Sequence, residues 1–181
     1  DSGAGDATVV VDGGEIEVTA AGAVGASALS SNGTATVDVK NGGSITAGSD
    51  AAAAIAFVDP DTTKMVVNVG EDSTVDASGT WSLYQGSGDA AASTEVNIAG
   101  DVTGDMMLGA GSSTLTIDGG TVTGNIYADY AGADDGNGRS DEFVMNGGRL
   151  DGVYFAQSGN DTVTVDGTFR GVDGGEGDDT L

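Results

Sequence analysis

The chain has no cysteine and no histidine. A disulfide framework, a thiol nucleophile, a Ser-His dyad and a His-ligated zinc site are therefore excluded within it. Basic residues are almost as scarce: Lys40, Lys64, Arg139, Arg149 and Arg170 oppose 29 acids, for a formal net charge of −24. Nucleic acid is not expected as a partner, because phosphate neutralisation by Lys and Arg supplies most of that affinity. Anionic membranes and anionic polysaccharides are disfavoured for the same reason unless cations bridge. An acidic surface of this kind suits salty water, where screening relieves self-repulsion. Aromatic residues make up only 5% of the chain, so any core must be aliphatic and alanine-filled. No apolar run reaches the ~18 residues of a membrane-spanning helix, so direct membrane insertion of this segment is not expected.

What is present is a repeat. Apolar residues make up 38% of the chain and they are periodic, which argues against disorder despite 33 glycines. The apolar residue before each glycine-containing turn gives the series Val11, Val39, Val69, Ile98, Ile117, Met145 and Val165, spaced 28, 30, 29, 19, 28 and 20 residues apart. Such self-similarity marks a stacked architecture with loop insertions in the longer units. Within each unit the period is two: Val37 and Val39 flank Asp38, Leu115 and Ile117 flank Thr116, and Val163 and Val165 flank Thr164. One face is apolar and the other polar, as a strand covering a core requires.

The turns that follow, such as Asn41-Gly42-Gly43, Asp118-Gly119-Gly120 and Asn146-Gly147-Gly148, supply positive φ at low cost. Asn-Gly and Asp-Gly often make hairpins. Here the next strand is short and reaches a second small residue at a fixed offset: Ala47, Ala77, Gly104, Gly124, Gly152 and Gly171. A third apolar segment follows, as in Ile55-Ala56-Phe57, Trp81-Ser82-Leu83-Tyr84, Met106-Met107-Leu108, Ile126-Tyr127-Ala128 and Val153-Tyr154-Phe155. The expectation is an all-β fold: a right-handed parallel β-helix, or β-solenoid, with three short strands per coil and about seven coils. Residues 1–181 read as a single β-solenoid segment. Its last residues look like the start of a further coil, so it is expected to be a fragment of a longer chain.

The closing residues 174–181 fit the pattern G-G-x-G-x-D-x-U, whose turn carbonyls and Asp carboxylate bind Ca²⁺ between coils. The key acid recurs at three successive coil starts as Asp141, Asp161 and Asp179. Together with Gly175 and Gly177 these are the candidate metal residues. The competing reading makes them ordinary Asp turn residues that bond to the backbone. No cofactor is required by the fold; Ca²⁺ is the one candidate.

The rungs Thr162-Val163-Thr164-Val165-Asp166-Gly167-Thr168 and Thr114-Leu115-Thr116-Ile117-Asp118-Gly119-Gly120, with the close Gly175-Glu176-Gly177-Asp178-Asp179-Thr180-Leu181, resemble the passenger regions of bacterial autotransporters. They resemble the glycine/aspartate repeats of RTX proteins secondarily. The likeness lies in repeat style over nearly the whole chain. It implies an extracellular or cell-surface, outer-membrane-exported segment serving as an adhesin or stalk. The expected function is thus structural and adhesive, not enzymatic. The alternatives are a calcium-stabilised repeat module and, less favoured, a polysaccharide-acting β-helix enzyme. Expected partners are a cell-surface protein or glycan, or other copies of the chain through coil ends and faces. The candidate partner stripe comprises Trp81, Tyr84, Met107, Tyr127, Tyr130, Tyr154 and Phe155. Alternation sends Tyr154 and Phe155 to opposite sides of their strand, and the sequence leaves open which side faces water.

Overall fold

A computed structural model describes residues 5–57, 62–86, 92–129 and 139–181. In chain order the strands are β1 (Ala7–Asp12), β2 (Glu15–Val18), β3 (Val24–Ala26), β4 (Thr34–Lys40), β5 (Ser44–Ala47) and β6 (Ala53–Phe57). There follow β7 (Lys64–Val69), β8 (Thr74–Gln85), β9 (Ser93–Ile98), β10 (Asp101–Met107), β11 (Ser113–Ile117) and β12 (Thr121–Thr123). The last are β13 (Ile126–Tyr127), β14 (Glu142–Met145), β15 (Arg149–Phe155), β16 (Thr162–Val165) and β17 (Thr168–Asp173). Among the described residues there is no helix.

The strands form two sheets, and every pairing between strands is parallel. The first sheet has seven strands in the order β1-β4-β7-β9-β11-β14-β16. The seven anchors from Val11 to Val165 fall in one file across it, each opposite the next. A second file, Val9-Val37-Val67-Val96-Leu115-Phe143-Val163, runs beside it two residues upstream. Ile117 and Leu115 are wholly buried, while Val165 in the last strand is half-buried. The hairpin alternative is excluded by the parallel direction, because a two-residue turn joins antiparallel strands only.

The second sheet carries both remaining segments of each unit. It runs β2-β5-β8-β10, continues through β12 and β13, which follow one another in the same row, and ends with β15 and β17; β3 and β6 join it beside β8. Three separate strands per unit are present in β1–β3, β4–β6 and β11–β13, and the expectation is corrected for the other four units. In β8, β10, β15 and β17 the second and third segments are one bent strand, so the sequence's second corner is a bend within a sheet. Two inward files line this sheet. One runs Ile16-Ile45-Val75-Val102-Val122-Leu150 and ends at Phe169, which is exposed, and the other runs Ile55-Leu83-Met106-Ile126-Tyr154-Val172. The alanine-rich stretch belongs to the latter: β6 is buried at all five residues.

Glycine at the bend is a packing requirement. A Cβ at Gly152 would lie 1.8 Å from the carbonyl oxygen of Gly124, and one at Gly124 would lie 2.4 Å from that of Gly104. Successive units approach backbone to backbone here, and only a residue without a side chain permits it.

Candidate functional site

Two groups of side chains stand out, one outside the second sheet and one at the start of the first.

Parallel registration brings like positions into contact at the ~4.8 Å spacing between strands. One position past the inward file, the second sheet aligns Tyr84, Met107, Tyr127 and Phe155. These are the outward residues. Tyr84, Tyr127 and Phe155 are half-buried, and Met107 is covered between them. The Tyr127 and Phe155 rings stack with centroids 5.1 Å apart and planes 6° from parallel. Trp81 closes the group, 5.8 Å from Tyr84 and edge-on to Tyr127 at 6.2 Å. A shallow cleft beside it is lined by Gly79, Thr80, Trp81, Gly104 and Asp105.

Tyr154, expected as part of the stripe, is instead a core residue, 1% exposed and stacked on Phe143 at 4.7 Å. The reason is the period of two: its neighbour Phe155 takes the outward position. Tyr130 lies outside the described residues.

The second group begins with the third inward file of the first sheet. Its members are Ala7, Ala35, Met65, Thr94 and Ser113. One residue before Glu142 the same register places Asp141, and one before Thr162 places Asp161. The file thus changes along the molecule from apolar to hydroxyl to carboxyl, yet the position stays inside. Asp141 is 2% exposed and Asp161 1%.

Their hydrogen bonds form a relay between units. The Ser113 backbone N–H donates to Asp141 Oδ1 at 2.6 Å, the Asp141 N–H to Asp161 Oδ1 at 2.7 Å, and the Asp161 N–H to Asp179 Oδ1 at 3.0 Å. Among the described residues the second oxygens of Asp141 and Asp161 have no hydrogen-bond partner, nor has the Tyr154 hydroxyl. Asp129, also buried, closes the corner: its Oδ2 accepts from Ser158 Oγ at 3.1 Å, and its carbonyl accepts from Gln157 Nε2 at 2.8 Å.

Burial pushes the Asp141 carboxyl up to about 8; the Ser113 N–H opposes the rise, and the charges of Asp129 and Asp161 add to it. Burial likewise raises the Asp161 carboxyl, with Asp179 adding to the rise. The Tyr154 phenol is raised by burial and by the charges of Asp141, Asp161 and Asp129.

No protein-family model, curated protein or solved structure matches this chain. Its chemistry therefore rests on the arrangement of its own side chains.

The candidate metal residues Asp141, Asp161 and Asp179 are joined in one file by backbone hydrogen bonds. Each carboxylate gives one oxygen to a backbone N–H of the preceding unit. Among the described residues no three His, Cys, Asp or Glu side chains gather as metal ligands do. Gly175 and Gly177 are explained by stacking. A Cβ at Gly177 would lie 1.6 Å from the Gly159 carbonyl oxygen, and one at Gly175 would lie 1.9 Å from that of Gln157.

Sequence reasoning missed that Gln157 occupies the left-handed conformation, at φ 73°, that Gly175 takes in the next unit. The 18-residue offset between Ser158 and Glu176 would have revealed the equivalence.

Proposed function

We propose that this chain is a non-enzymatic segment of a right-handed parallel β-helix, exported to a bacterial surface or secreted, that holds partners along one side. The winding is inferred from the chain's return to each sheet in turn, and its hand from the strong bias of parallel crossovers. The observation that carries the reading is the outward file Tyr84, Met107, Tyr127 and Phe155, edged by Trp81. It groups aromatic residues on a surface otherwise rich in Asp, Asn, Thr and Gly, with Phe169 in β17 exposed as well. Aromatic groups with one apolar face and a wet edge are frequent anchors at binding surfaces.

The basic residues support the non-enzymatic part. Arg149 and Arg170 both sit on Asp151, at 3.4 and 2.9 Å, and Lys64 sits on Glu95 at 2.6 Å. A base held as a cation by a carboxylate makes a poor proton acceptor.

The test combines two measurements: sedimentation of the 181-residue chain from about 1 to 100 μM, and retention of cell surfaces or neutral glycans on the immobilised protein. Self-association or retention is expected, and it is expected to be lost in the triple variant Trp81→Ala, Tyr127→Ala, Phe155→Ala while the far-UV spectrum stays β-rich. A monomer throughout with no retention overturns the adhesive reading. So does a variant that binds as well as the parent.

A further inference from the structure

We propose that the cleft beside Trp81 is a carbohydrate subsite, which takes a neutral sugar ring of a cell-surface or extracellular glycan. The inference rests on the adhesive reading of this face and names its ligand.

The cleft arises where a long bend meets a short one. Asp76 pairs with Thr103 and Trp81 with Asp105. Between those pairs β10 has only Gly104, whereas β8 has Ala77, Ser78, Gly79 and Thr80. Asp105 and Met106 are then consecutive, while their partners Trp81 and Leu83 are separated by Ser82. The next unit has no such excess, since β12 and β13 follow β10 step for step. Bulges of this kind re-aim side chains and recur beside functional sites.

The site is built before any ligand arrives. Its floor is backbone: a Cβ at Gly104 would lie 2.8 Å from the Ala77 carbonyl oxygen and 3.0 Å from that of Thr80. Hydroxyls pin the long bend. Ser78 Oγ donates to Asp76 Oδ1 at 2.8 Å, Thr80 Oγ1 to the Ala52 carbonyl at 2.9 Å, and Ser82 Oγ to the Gly104 carbonyl at 3.0 Å. The open space is about 360 Å³, within the ~300–1,000 Å³ of small-ligand sites. A pre-formed site loses little entropy on binding.

Two side chains of the cleft supply the chemistry a sugar ring needs. The Trp81 indole offers apolar surface to the C–H side of a ring and an N–H donor to a hydroxyl oxygen. Asp105 offers a carboxylate, which accepts charge-assisted hydrogen bonds from sugar hydroxyls. Its Oδ1 accepts from the Asn125 N–H at 2.7 Å, which fixes the side chain. Its Oδ2 has no partner among the described residues. Charge then selects among glycans. Asp76 and Asp101 are exposed on the same two strands, and the chain carries −24. A uronate or sialylated chain is repelled here, and a neutral ring is not.

Trp81 is the single tryptophan of the chain, so its emission reports this site directly. Maltohexaose, cellohexaose and mannohexaose are titrated into the 181-residue chain at about 0.15 M salt, beside hyaluronate and chitosan oligomers as charged controls. A saturable emission shift is expected with at least one neutral hexaose, at a Kd of about 1 mM or below, and none with hyaluronate. Asp105→Asn is expected to weaken that binding about tenfold. The fold tolerates Asn there, because Asn125 fills the equivalent place in the next unit and accepts the Val153 N–H. Thr164→Ala, on the outer face of the first sheet, is expected to bind as the parent does. No shift with any neutral hexaose overturns the cleft, and so does a response to chitosan alone. Retention of glycans or cell surfaces that Asp105→Asn leaves unchanged also overturns the cleft, while the adhesive reading stands. A chain that retains nothing and stays monomeric overturns the adhesive reading itself. Should Asp105→Asn fail to fold, NMR of the parent with the hexaose decides. Shifts of the Trp81 indole and Asn125 backbone N–H signals support the subsite, and shifts confined to other residues sink it.

Discussion

A single column of residues shows how strongly position outweighs residue type in this fold. Ser113, Asp141 and Asp161 differ in chemistry yet share one inward place, because parallel registration repeats the direction of each side chain from unit to unit. The glycine column at the bend is the steric counterpart. Gly152→Ala would drive a methyl to 1.8 Å from the Gly124 carbonyl oxygen, a contact that can be relieved only by parting the units. We expect a loss of about 3 kcal/mol or more by urea titration, the upper range for overpacking. Tyr154→Phe deletes a buried hydroxyl with no partner and leaves the stack on Phe143 intact. Unfolding titrations should find it neutral or stabilised by about 1 kcal/mol, whereas removing a satisfied hydroxyl destabilises.

At the scale of the element, the two sheets differ in how they use their outer faces. The first carries a polar amide ladder: Asn68 Nδ2 donates to Asp38, and Asn97 Nδ2 to Asn68 Oδ1 at 2.9 Å. The second carries the aromatic file, with Tyr127 and Phe155 face to face. Rings stacked along the file spend their faces on each other and present edges outward. Tyr127→Ala breaks this contact and the Trp81 contact together. A loss of about 2 kcal/mol is expected for a half-buried ring, with Phe155→Ala adding less than its single-mutant value because the two share the stack. A double-mutant cycle by chemical denaturation checks this coupling.

For the whole molecule, charge is the strongest influence on stability beyond the core. With −24 on 181 residues and few cations, self-repulsion opposes compaction at low ionic strength. Sodium chloride raised from about 10 to 500 mM should lift the melting temperature by several degrees, as the Debye length falls from about 30 to under 5 Å. Calcium chloride at matched ionic strength tests Asp141, Asp161 and Asp179 as a cation site, and a rise no larger than sodium chloride gives counts against it. A far larger effect of calcium would support a cation site at that file.

The amino-acid sequence alone was enough to establish the all-β class, the unit boundaries, the inward residues of the first sheet and the need for small residues at the bend. These follow from local rules, namely the period of two and positive-φ turns, repeated often enough to read. The file from Val11 to Val165 was legible residue by residue for that reason. The folded chain was needed to establish that the second and third segments share one bent sheet, that Phe155 and not Tyr154 faces outward, and that Asp141 and Asp161 are buried. Each depends on which side of a strand meets the core, and alternation alone is symmetric between the two sides. The acids were legible as a recurring motif, but a sequence records a carboxylate without its surroundings. Burial and backbone donors from the neighbouring unit set the chemistry of these acids, and both arise only when the units stack.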